Sequence, residues 1–440
     1  MATVINGDPS GFSTLTGAGL GADIVNLFAL QNTFFAGGGS DTINLYGSGY
    51  DTVYLGAATG INDQIYLNGG SDDAVLSAAP IVDGYVAISG GASQNLVAID
   101  NSGGTNVITF AGFANAVSVN GDATNVITLG AGYGVAAVGA SGTGSGSGSG
   151  SGYASTVVVS GTNNRVSGGD ENFTITGGGG TLAVSIGNGV NAVSTGGYDN
   201  SIYTGTNSNT IVFSGGGADR VTLGAGAATN STVANTIALA GTGNIVTGGD
   251  ESTAISGGLG GDVYRLGAGN DSIVDNGNGN VFAVGGGGTV GSVQITAYGA
   301  NNQITVGGAA QLQLGLAGAP SGDTITLDAT TLTSTVNLNG TGNMVFLAHG
   351  AAGVINDNAS AGGLDLVVGA SVGNPDLVVN GFQADPTGIL TVDHSLYTSP
   401  GAVQAALRMT SAGLVLPVNG GQILFAGDHA MPALTHLSIT

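Results

Sequence analysis

The stretch Gly257–Val274 reads GGLGGDVYRLGAGNDSIV and consists of two nine-residue units in tandem. Each unit places glycines before an aspartate (Asp262, Asp271), and a large apolar residue (Tyr264, Ile273) follows two positions later. Glycines adopt positive φ readily and so allow the tight turn that this spacing needs. Residues two positions apart in a strand share one face. One unit cannot bury its apolar residue alone, so the pattern predicts short strands that stack coil upon coil.

Looser copies of this unit run through the chain at steps of nine to twelve residues. Aspartate ends the turn in the copies at Asp23, Asp41, Asp51, Asp63, Asp73, Asp219, Asp262 and Asp271. The strictest copies carry the turn glycines Gly37, Gly39, Gly47, Gly49, Gly258, Gly260, Gly267 and Gly269. If a coil holds two strands, every second unit lies over the last, which places Asp23, Asp41 and Asp63 along one edge. Asp51 and Asp73 then line the opposite edge.

The chemistry of these turns favours a hard cation. A tight glycine turn exposes several backbone carbonyl oxygens on one side, and the aspartate adds a charged oxygen. Ca²⁺ prefers such mixtures of carboxylate and carbonyl oxygens. The sequence therefore predicts Ca²⁺ at the aspartates and turn glycines just named. The alternative is an Asx-turn in a plain β-helix, without metal.

Asparagine replaces aspartate in much of the middle of the chain. Asn95, Asn106, Asn115 and Asn125 each stand two residues before Val or Ile. Asparagine tolerates the left-handed conformation and stacks into ladders, but it lacks the carboxylate charge. This portion is therefore predicted to be a metal-poor β-solenoid.

A longer repeat is also visible. Gly161–Gly180 (GTNNRVSGGDENFTITGGGG) and Gly241–Gly260 (GTGNIVTGGDESTAISGGLG) are related in sequence and lie eighty residues apart. Duplication of a block of several coils is the simplest explanation.

Composition excludes several classes of protein. The 440 residues include 86 Gly, no Cys and no Lys, and the formal net charge is −23. Nucleic acid and anionic membrane surfaces are poor partners for so acidic a chain. No apolar run approaches the roughly twenty residues of a membrane-spanning helix. The first residues, MATVINGDPSG, do not form an ordinary secretory signal.

The fold predicted from these features is all-β: a right-handed parallel β-solenoid or β-roll of 9–12-residue turns, with a small C-terminal cap. We divide the chain into a first solenoid segment at 1–139, a Gly/Ser linker or loop at 140–152, a second solenoid segment at 153–375 and the cap at 376–440. In the cap, SPGAVQAALR at Ser399–Arg408 predicts a short helix, with Ser as N-cap, Pro at the first position and Arg near the C-terminal end.

The nonapeptides at Gly37–Val53 and Gly257–Val274 resemble the repeats of RTX proteins, which Gram-negative bacteria export by type I secretion. The tail also resembles the C-terminal segment of those proteins, with DLVVNGFQA from Asp376, a strand at Gly388–Val392 and a short helix after Ser399. The resemblance implies an uncleaved C-terminal export signal, passage through the type I secretion machinery, and folding outside the cell on meeting Ca²⁺.

Catalytic motifs are scarce, and we expect no enzyme. The histidines form no H-E-x-x-H, and the G-x-S-x-G match at Gly369–Gly373 leads into a strand, where a nucleophile elbow needs a helix. Polysaccharide-modifying β-helix enzymes need a base and cationic groups that neutralise a substrate carboxylate, and this chain has no Lys and only three scattered Arg before the tail. Arg220 and Arg265 each follow an Asp-bearing turn, and we expect them to pair with those acids.

The predicted function is structural. We expect a secreted calcium-binding protein that assembles with copies of itself into an extracellular layer or fibre, as in an S-layer or biofilm matrix. Cell-surface polysaccharide is a further expected partner, whereas nucleic acid and membrane insertion are not expected. A monomeric RTX adhesin or surface-binding module is the alternative, and a polysaccharide-modifying enzyme comes after it.

Overall fold

The structure, a computed structural model, describes residues 3–9, 12, 14–17, 21–28, 31–47, 49–57, 59–68, 72–77, 80–91, 93–102, 104–121, 123–130, 132–139, 154–224, 234–285, 291–307, 311–316, 322–328, 332–349, 351–358, 363–382 and 387–440. The predicted linker at 140–152 and residues 383–386 of the tail motif lie outside the described residues. The chain divides into two compact units, Met1–Gly216 and Gly217–Thr440.

In the first unit the chain alternates between two parallel sheets, called sheet A and sheet B, with one strand of each per coil. Sheet A contains Thr3–Asn6, Asp23–Leu27, Thr42–Leu45, Asn62–Leu67, Tyr85–Gly90, Thr105–Phe110, Thr124–Leu129, Ala154–Val159, Asn172–Gly177, Asn191–Thr195 and Asn209–Phe213. Sheet B contains Thr14–Thr16, Thr33–Phe35, Thr52–Leu55, Ala74–Ser77, Leu96–Ser102, Ala116–Asn120, Val135–Gly139, Asn164–Gly168, Leu182–Ser185 and Ser201–Thr204. A short strand, Ile81–Val82, pairs with the end of Leu96–Ser102.

The second unit repeats this design. Its sheet A contains Ala234–Ala238, Ser252–Ser256, Asp271–Asp275, Ser292–Ala297, Gln311–Leu316, Leu332–Leu338, Ala351–Asp357, Asp376–Asn380 and Gly421–Ala426. Its sheet B contains Arg220–Leu223, Ile245–Thr247, Val263–Leu266, Val281–Val284, Gln303–Gly307, Thr324–Asp328, Asn343–Leu347, Leu364–Val368, Ile389–Val392 and Leu437–Ile439. Neighbouring strands within these two series are parallel, as the predicted stacking requires.

The core lies between the two sheets of each unit. In Thr42–Leu45 and Thr52–Leu55, every second residue is buried and the residues between them are half-buried. Identical positions stack from coil to coil, so that Tyr264 lies 5.0 Å from Phe282, centroid to centroid. Burial of one such large apolar side chain contributes about 1.5–3 kcal/mol, and the stacked rows account for the stability of a fold with short strands.

The second unit ends in the only antiparallel strands of the described chain. Gly421–Ala426 pairs in parallel with Asp376–Asn380 on one side and antiparallel with Gly413–Val418 on the other. Arg408–Thr410 extends the antiparallel part. This arrangement forms a cap on the solenoid, as the sequence predicted.

The cap contains one α-helix, Pro400–Ala406, in the described part of the chain. The Ser399 hydroxyl accepts a hydrogen bond from the backbone N–H of Ala402 (3.1 Å), which confirms the predicted N-cap. The helix ends at Ala406, two residues before Arg408, which the sequence placed near its C-terminal end. Leu407 is already extended, and Arg408 begins a strand.

The β-solenoid prediction is confirmed for both units. The sequence TNVIT occurs at Thr105–Thr109 and again at Thr124–Thr128. The two copies lie side by side in sheet A, because Thr105 pairs with Thr124 and the following residues stay in register. A membrane-crossing helix is absent from the ranges given above.

Candidate cation-binding turns

The aspartates predicted from the sequence all face the inside of a coil. Each is at most 2% exposed: Asp23, Asp41, Asp51, Asp63, Asp73, Asp219, Asp262 and Asp271. They point inward because residues two positions apart share a face with the buried apolar residue that follows. The turn asparagines, such as Asn95, Asn115 and Asn125, are buried in the same way. At the N-terminal ends of its strands, each sheet therefore carries an inward-facing column of Asp and Asn side chains.

Hydrogen bonds join successive coils along these columns. Asp41 Oδ1 accepts from the backbone N–H of Asp23, and Asp63 Oδ1 accepts from that of Asp41, both at 2.9 Å. On the other edge, Asp73 Oδ1 accepts from the N–H of Asp51 at 3.0 Å. The predicted grouping of these five residues into two edges is confirmed.

The second carboxylate oxygen of several turn aspartates has no hydrogen-bond donor. Oδ2 of Asp41, Asp51, Asp73, Asp271 and Asp323 is buried, and no donor in the described part of the chain reaches it. A buried polar atom without a partner costs about 1–3 kcal/mol. Five such atoms therefore favour a further positive group at these turns, either a proton or a metal ion.

Turns that carry asparagine need no added proton or metal ion, because the side-chain amide supplies N–H donors. The Asn191 side-chain N–H groups donate to the carbonyl oxygens of Gly187 (3.3 Å) and Gly189 (2.8 Å) and to Asn209 Oδ1 (2.9 Å). Asn209 does the same toward Gly205 and Asn207. The amide thus satisfies the carbonyls that lie four and two residues before it.

The turn glycines predicted as ligands occupy those same two positions relative to their aspartates. Gly267 and Gly269 precede Asp271 by four and two residues, as Gly37 and Gly39 precede Asp41 and Gly47 and Gly49 precede Asp51. They also allow close coil stacking, since a Cβ on Gly39 would come 1.9 Å from the Gly21 carbonyl oxygen.

Asp262 differs from the other predicted sites, because both of its oxygens accept hydrogen bonds. Oδ1 accepts from the backbone N–H and the side chain of Asn244 (2.7 and 2.9 Å), and Oδ2 accepts from the N–H of Gly258 (3.2 Å). The Tyr264 hydroxyl lies 3.5 Å from Oδ2. Of the predicted sites whose contacts are described, this one has the least need of a cation.

A second buried carboxylate, Asp275, accompanies Asp262. Its oxygens accept from the Tyr264 hydroxyl, from the N–H of Gly277 (2.6 Å) and from the Asn280 side chain (2.7 Å). Burial, with the two carboxylates nearby, raises the pKa of the Tyr264 hydroxyl. The turn at Gly258 and Gly260 is therefore closed by protein donors.

Burial raises the pKa of the carboxylates in these columns. The pKa rises to about 7 for Asp63 and Asp271 and to about 6 for Asp73, with hydrogen bonds from backbone N–H groups opposing the shift. Burial likewise raises the pKa of Asp41 and Asp51. A buried negative charge without a compensating cation is unfavourable, and the shifts express that cost.

Cationic side chains do not neutralise these columns. Of the residues that the structure describes, the only ion pair is between His349 and Asp328, at an exposed position. Arg220 and Arg265 are both exposed on the outer face. The expected pairing of Arg265 with Asp262 is wrong, because Asp262 points inward and accepts from Asn244 and Gly258. Outward and inward residues alternate, so an arginine next to an inward aspartate points away from it.

No three His, Cys, Asp or Glu side chains within the described ranges converge closely enough to bind a metal ion by themselves. A cation in these turns must therefore take backbone carbonyl oxygens as well as carboxylates, which is the donor mixture that Ca²⁺ accepts.

The sequence did not single out Asp275 and Glu251, whereas Asp323 fits the repeat as a weaker Ca²⁺ candidate than the aspartates predicted above. Asp323 is fully buried at a turn without the glycine spacing, and Asp275 is fully buried at the far end of a strand. Its parity with Asp271 and Ile273 was the available signal. Glu251, 2% exposed, stands where the strict unit has glycine.

The remaining predicted sites lie in the same columns. The Asp219 N–H donates to Asn244 Oδ1 at 3.1 Å, one coil on. Asp23 and Asp63 are the outer members of the three-aspartate edge described above.

The chain matches no protein-family model, no curated protein and no solved structure.

Proposed function

We propose that this is a secreted calcium-binding structural protein of the RTX type, exported by type I secretion, that assembles with its own copies into an extracellular layer or fibre. Ca²⁺ binds in the Asp-bearing turns, folds the coils that contain them, and so prepares the surface for assembly. Ion binding to the folded state adds directly to folding stability.

One comparison carries the calcium proposal. Asn191 and Asp271 stand eleven residues after the two copies of the duplicated block. They are equivalent, because each Oδ1 accepts from a backbone N–H of its own copy, Phe173 or Thr253, at 3.1 Å. Asn191 fills the rest of its turn with N–H donors, whereas Asp271 places an unpartnered oxygen there. A cation would stabilise Asp271 Oδ2 beside the turn carbonyl oxygens. The carbonyls equivalent to those of Gly187 and Gly189 belong to Gly267 and Gly269.

Self-assembly is supported by exposed aromatic side chains in the first unit. We call the stacked pair Phe28 and Tyr46, which directly follow two neighbouring strands of sheet A, the aromatic strip. Phe28 stacks on Tyr46 (centroids 5.2 Å apart) and Phe35 on Tyr54 (4.9 Å), yet Phe28 is 47% and Tyr46 48% exposed. Clustered exposed apolar groups mark interaction surfaces.

The test is imaging with and without calcium. The full chain is stripped of metal with a chelator, returned to Ca²⁺ or Mg²⁺, and examined by negative-stain microscopy and light scattering. Ordered layers or fibres should form in Ca²⁺ and disperse in chelator. A protein that stays monomeric at every Ca²⁺ concentration contradicts the assembly proposal.

A monomeric adhesin is the second candidate, favoured by a polar row on the outer face of sheet A. Asn26 donates to Asn6 (3.0 Å) and Asn44 donates to Asn26 (3.1 Å), which gives regularly spaced amides of the kind that bind polysaccharide hydroxyls. The adhesin reading predicts a Ca²⁺-loaded monomer that binds surface polysaccharide in a pull-down assay.

A further inference from the structure

Glu251 occupies an unusual place in the second unit. It stands two residues before the inward-facing Thr253, where Gly269 stands in the next coil, and it is 2% exposed. The two residues are stacked closely, because a Cβ on Gly269 would come 2.2 Å from the Glu251 carbonyl oxygen. A long carboxylate side chain is therefore buried at a turn position that the strict repeat reserves for glycine.

Three acidic residues contribute negative charge to this turn. Asp250 Oδ1 accepts from the N–H of Ala268 (2.8 Å), and Asp271 Oδ1 accepts from the N–H of Thr253 (3.1 Å). After burial, the negative charges of Asp250 and Glu251 both raise the pKa of Asp271. Asp271 Oδ2 is buried and meets no hydrogen-bond donor in the described chain. Negative charge is therefore concentrated around one unpartnered oxygen.

The duplicated block offers an internal comparison. Asp170 and Glu171 repeat Asp250 and Glu251, with Glu171 only 4% exposed and Asp170 Oδ1 accepting from the N–H of Asn188 (2.8 Å). Asn191 replaces Asp271 there, and its amide donates to three oxygens. The first copy thus closes its turn with an amide, and the second copy does not.

We propose that Glu251 and Asp271 together hold one hard divalent cation, Ca²⁺, with Glu251 as a ligand that the repeat pattern does not supply. This rests on the proposed role of Ca²⁺ in the turns. Two carboxylates at one corner give this site a higher ligand charge than a turn with one aspartate, and affinity for Ca²⁺ rises with ligand charge. The equivalent corner at Glu171 and Asn191 does not form such a site.

The experiment is a Ca²⁺ titration of the full chain in competition with a chromophoric chelator, with stoichiometry counted by equilibrium dialysis. Glu251→Gln should weaken one tight ion by about tenfold or more, and Glu171→Gln, the matched control, should leave the tight class unchanged. Glu251→Gln without effect, or an equal loss in both variants, overturns the proposal.

A second variant covers the case in which Glu251→Gln does not fold. Asp271→Asn replaces the unpartnered oxygen with an amide and should fold without Ca²⁺ while losing the same tight ion. Retention of that ion overturns the proposal. A wild-type chain that binds no Ca²⁺ at all refutes the proposed function itself, whereas a wild type that binds Ca²⁺ beside an unaffected Glu251→Gln variant refutes only the role of Glu251.

Discussion

Asn191 and Asp271 occupy the same turn position, one coil after the two copies of the duplicated block, and their side chains differ by a single group. The Asn191 amide donates to two turn carbonyls and to the next residue of its column. Asp271 presents an oxygen instead and is left with a buried Oδ2 without a donor. Asparagine turns are thus self-sufficient, whereas aspartate turns depend on a proton or a cation.

The first prediction concerns this difference. Asp271→Asn should raise the free energy of unfolding in chelator by about 1–3 kcal/mol, because the new N–H groups satisfy the turn carbonyls. Asp262→Asn is the control, since both of its oxygens already accept hydrogen bonds, and it should lose a similar amount. Urea unfolding followed by circular dichroism measures both. A destabilised Asp271→Asn variant would contradict the account.

The second prediction concerns pH. The pKa is about 7 for Asp63 and Asp271 and about 6 for Asp73 in the folded chain, against about 3.9 in an unfolded one. Because the folded values are higher, protonation stabilises the fold: the contribution is complete below about pH 4 and is lost as the pH rises through 6–7. Without Ca²⁺, thermal stability should therefore fall as the pH rises from about 4 to about 7.

Saturating Ca²⁺ should remove or reverse this fall, because the ion binds the ionised carboxylates. The triple variant Asp63→Asn, Asp73→Asn, Asp271→Asn, which cannot titrate at these positions, should show a flatter profile in chelator. Identical profiles for wild type with and without Ca²⁺ would count against metal binding at these turns.

At the scale of the turn, the two edges of the solenoid differ. On the sheet B edge, the residue before each inward Asp or Asn has positive φ, including Tyr50 (64°), Ala114 (55°), Ala218 (58°) and Gly261 (67°). The left-handed residue turns the chain so that the next side chain points inward. This conformation costs a non-glycine residue about 1–2 kcal/mol, which the ladder above and below must offset.

The third prediction follows from this geometry. Ala114→Gly should raise the free energy of unfolding by about 1 kcal/mol, because glycine adopts positive φ without strain. Gly261→Ala should lower it by a similar amount, since its Cβ would meet no atom nearer than 3.8 Å and only the φ strain remains. Chemical denaturation with matched m-values tests both. Equal effects of the same sign would refute the interpretation.

The sequence predicted the inward aspartate columns, the stacked strands and the cap, because each rests on the two-residue period of a strand and on local turn chemistry. It could not predict that Asn244 gives Asp262 two hydrogen bonds, because Asn244 is brought there only by the stacking of coils. The outward direction of Arg265, by contrast, follows from the sequence, because Arg265 stands between the inward residues Tyr264 and Leu266 of one strand.

At the scale of the whole chain, net charge and exposed aromatic surface determine whether copies of the protein associate. A formal charge of −23 with no lysine opposes both compaction and association unless cations are bound. Ca²⁺ in the turns would lower that repulsion while the aromatic strip supplies an apolar contact. Both effects act in the same direction, toward assembly in Ca²⁺ and dispersal in chelator.

The fourth prediction concerns the aromatic strip. The double variant Phe28→Ser, Tyr46→Ser should reduce Ca²⁺-dependent assembly in light scattering, since both rings are about half exposed and stack only on each other. Tyr198→Ser is the control, an exposed tyrosine (60%) outside the strip. Unchanged assembly in the double variant would exclude the strip as the contact surface.

The most direct test of the account is the effect of Ca²⁺ on unfolding in two proteins, the wild type and the variant Asp41→Asn, Asp51→Asn, Asp73→Asn, Asp271→Asn. Ca²⁺ at about 100 times Kd should stabilise the wild type by about 2.7 kcal/mol for each site bound. The variant should be more stable than the wild type in chelator and should respond much less to Ca²⁺. A wild type whose unfolding midpoint is the same in Ca²⁺ and in chelator would contradict the claim that cations complete the aspartate turns.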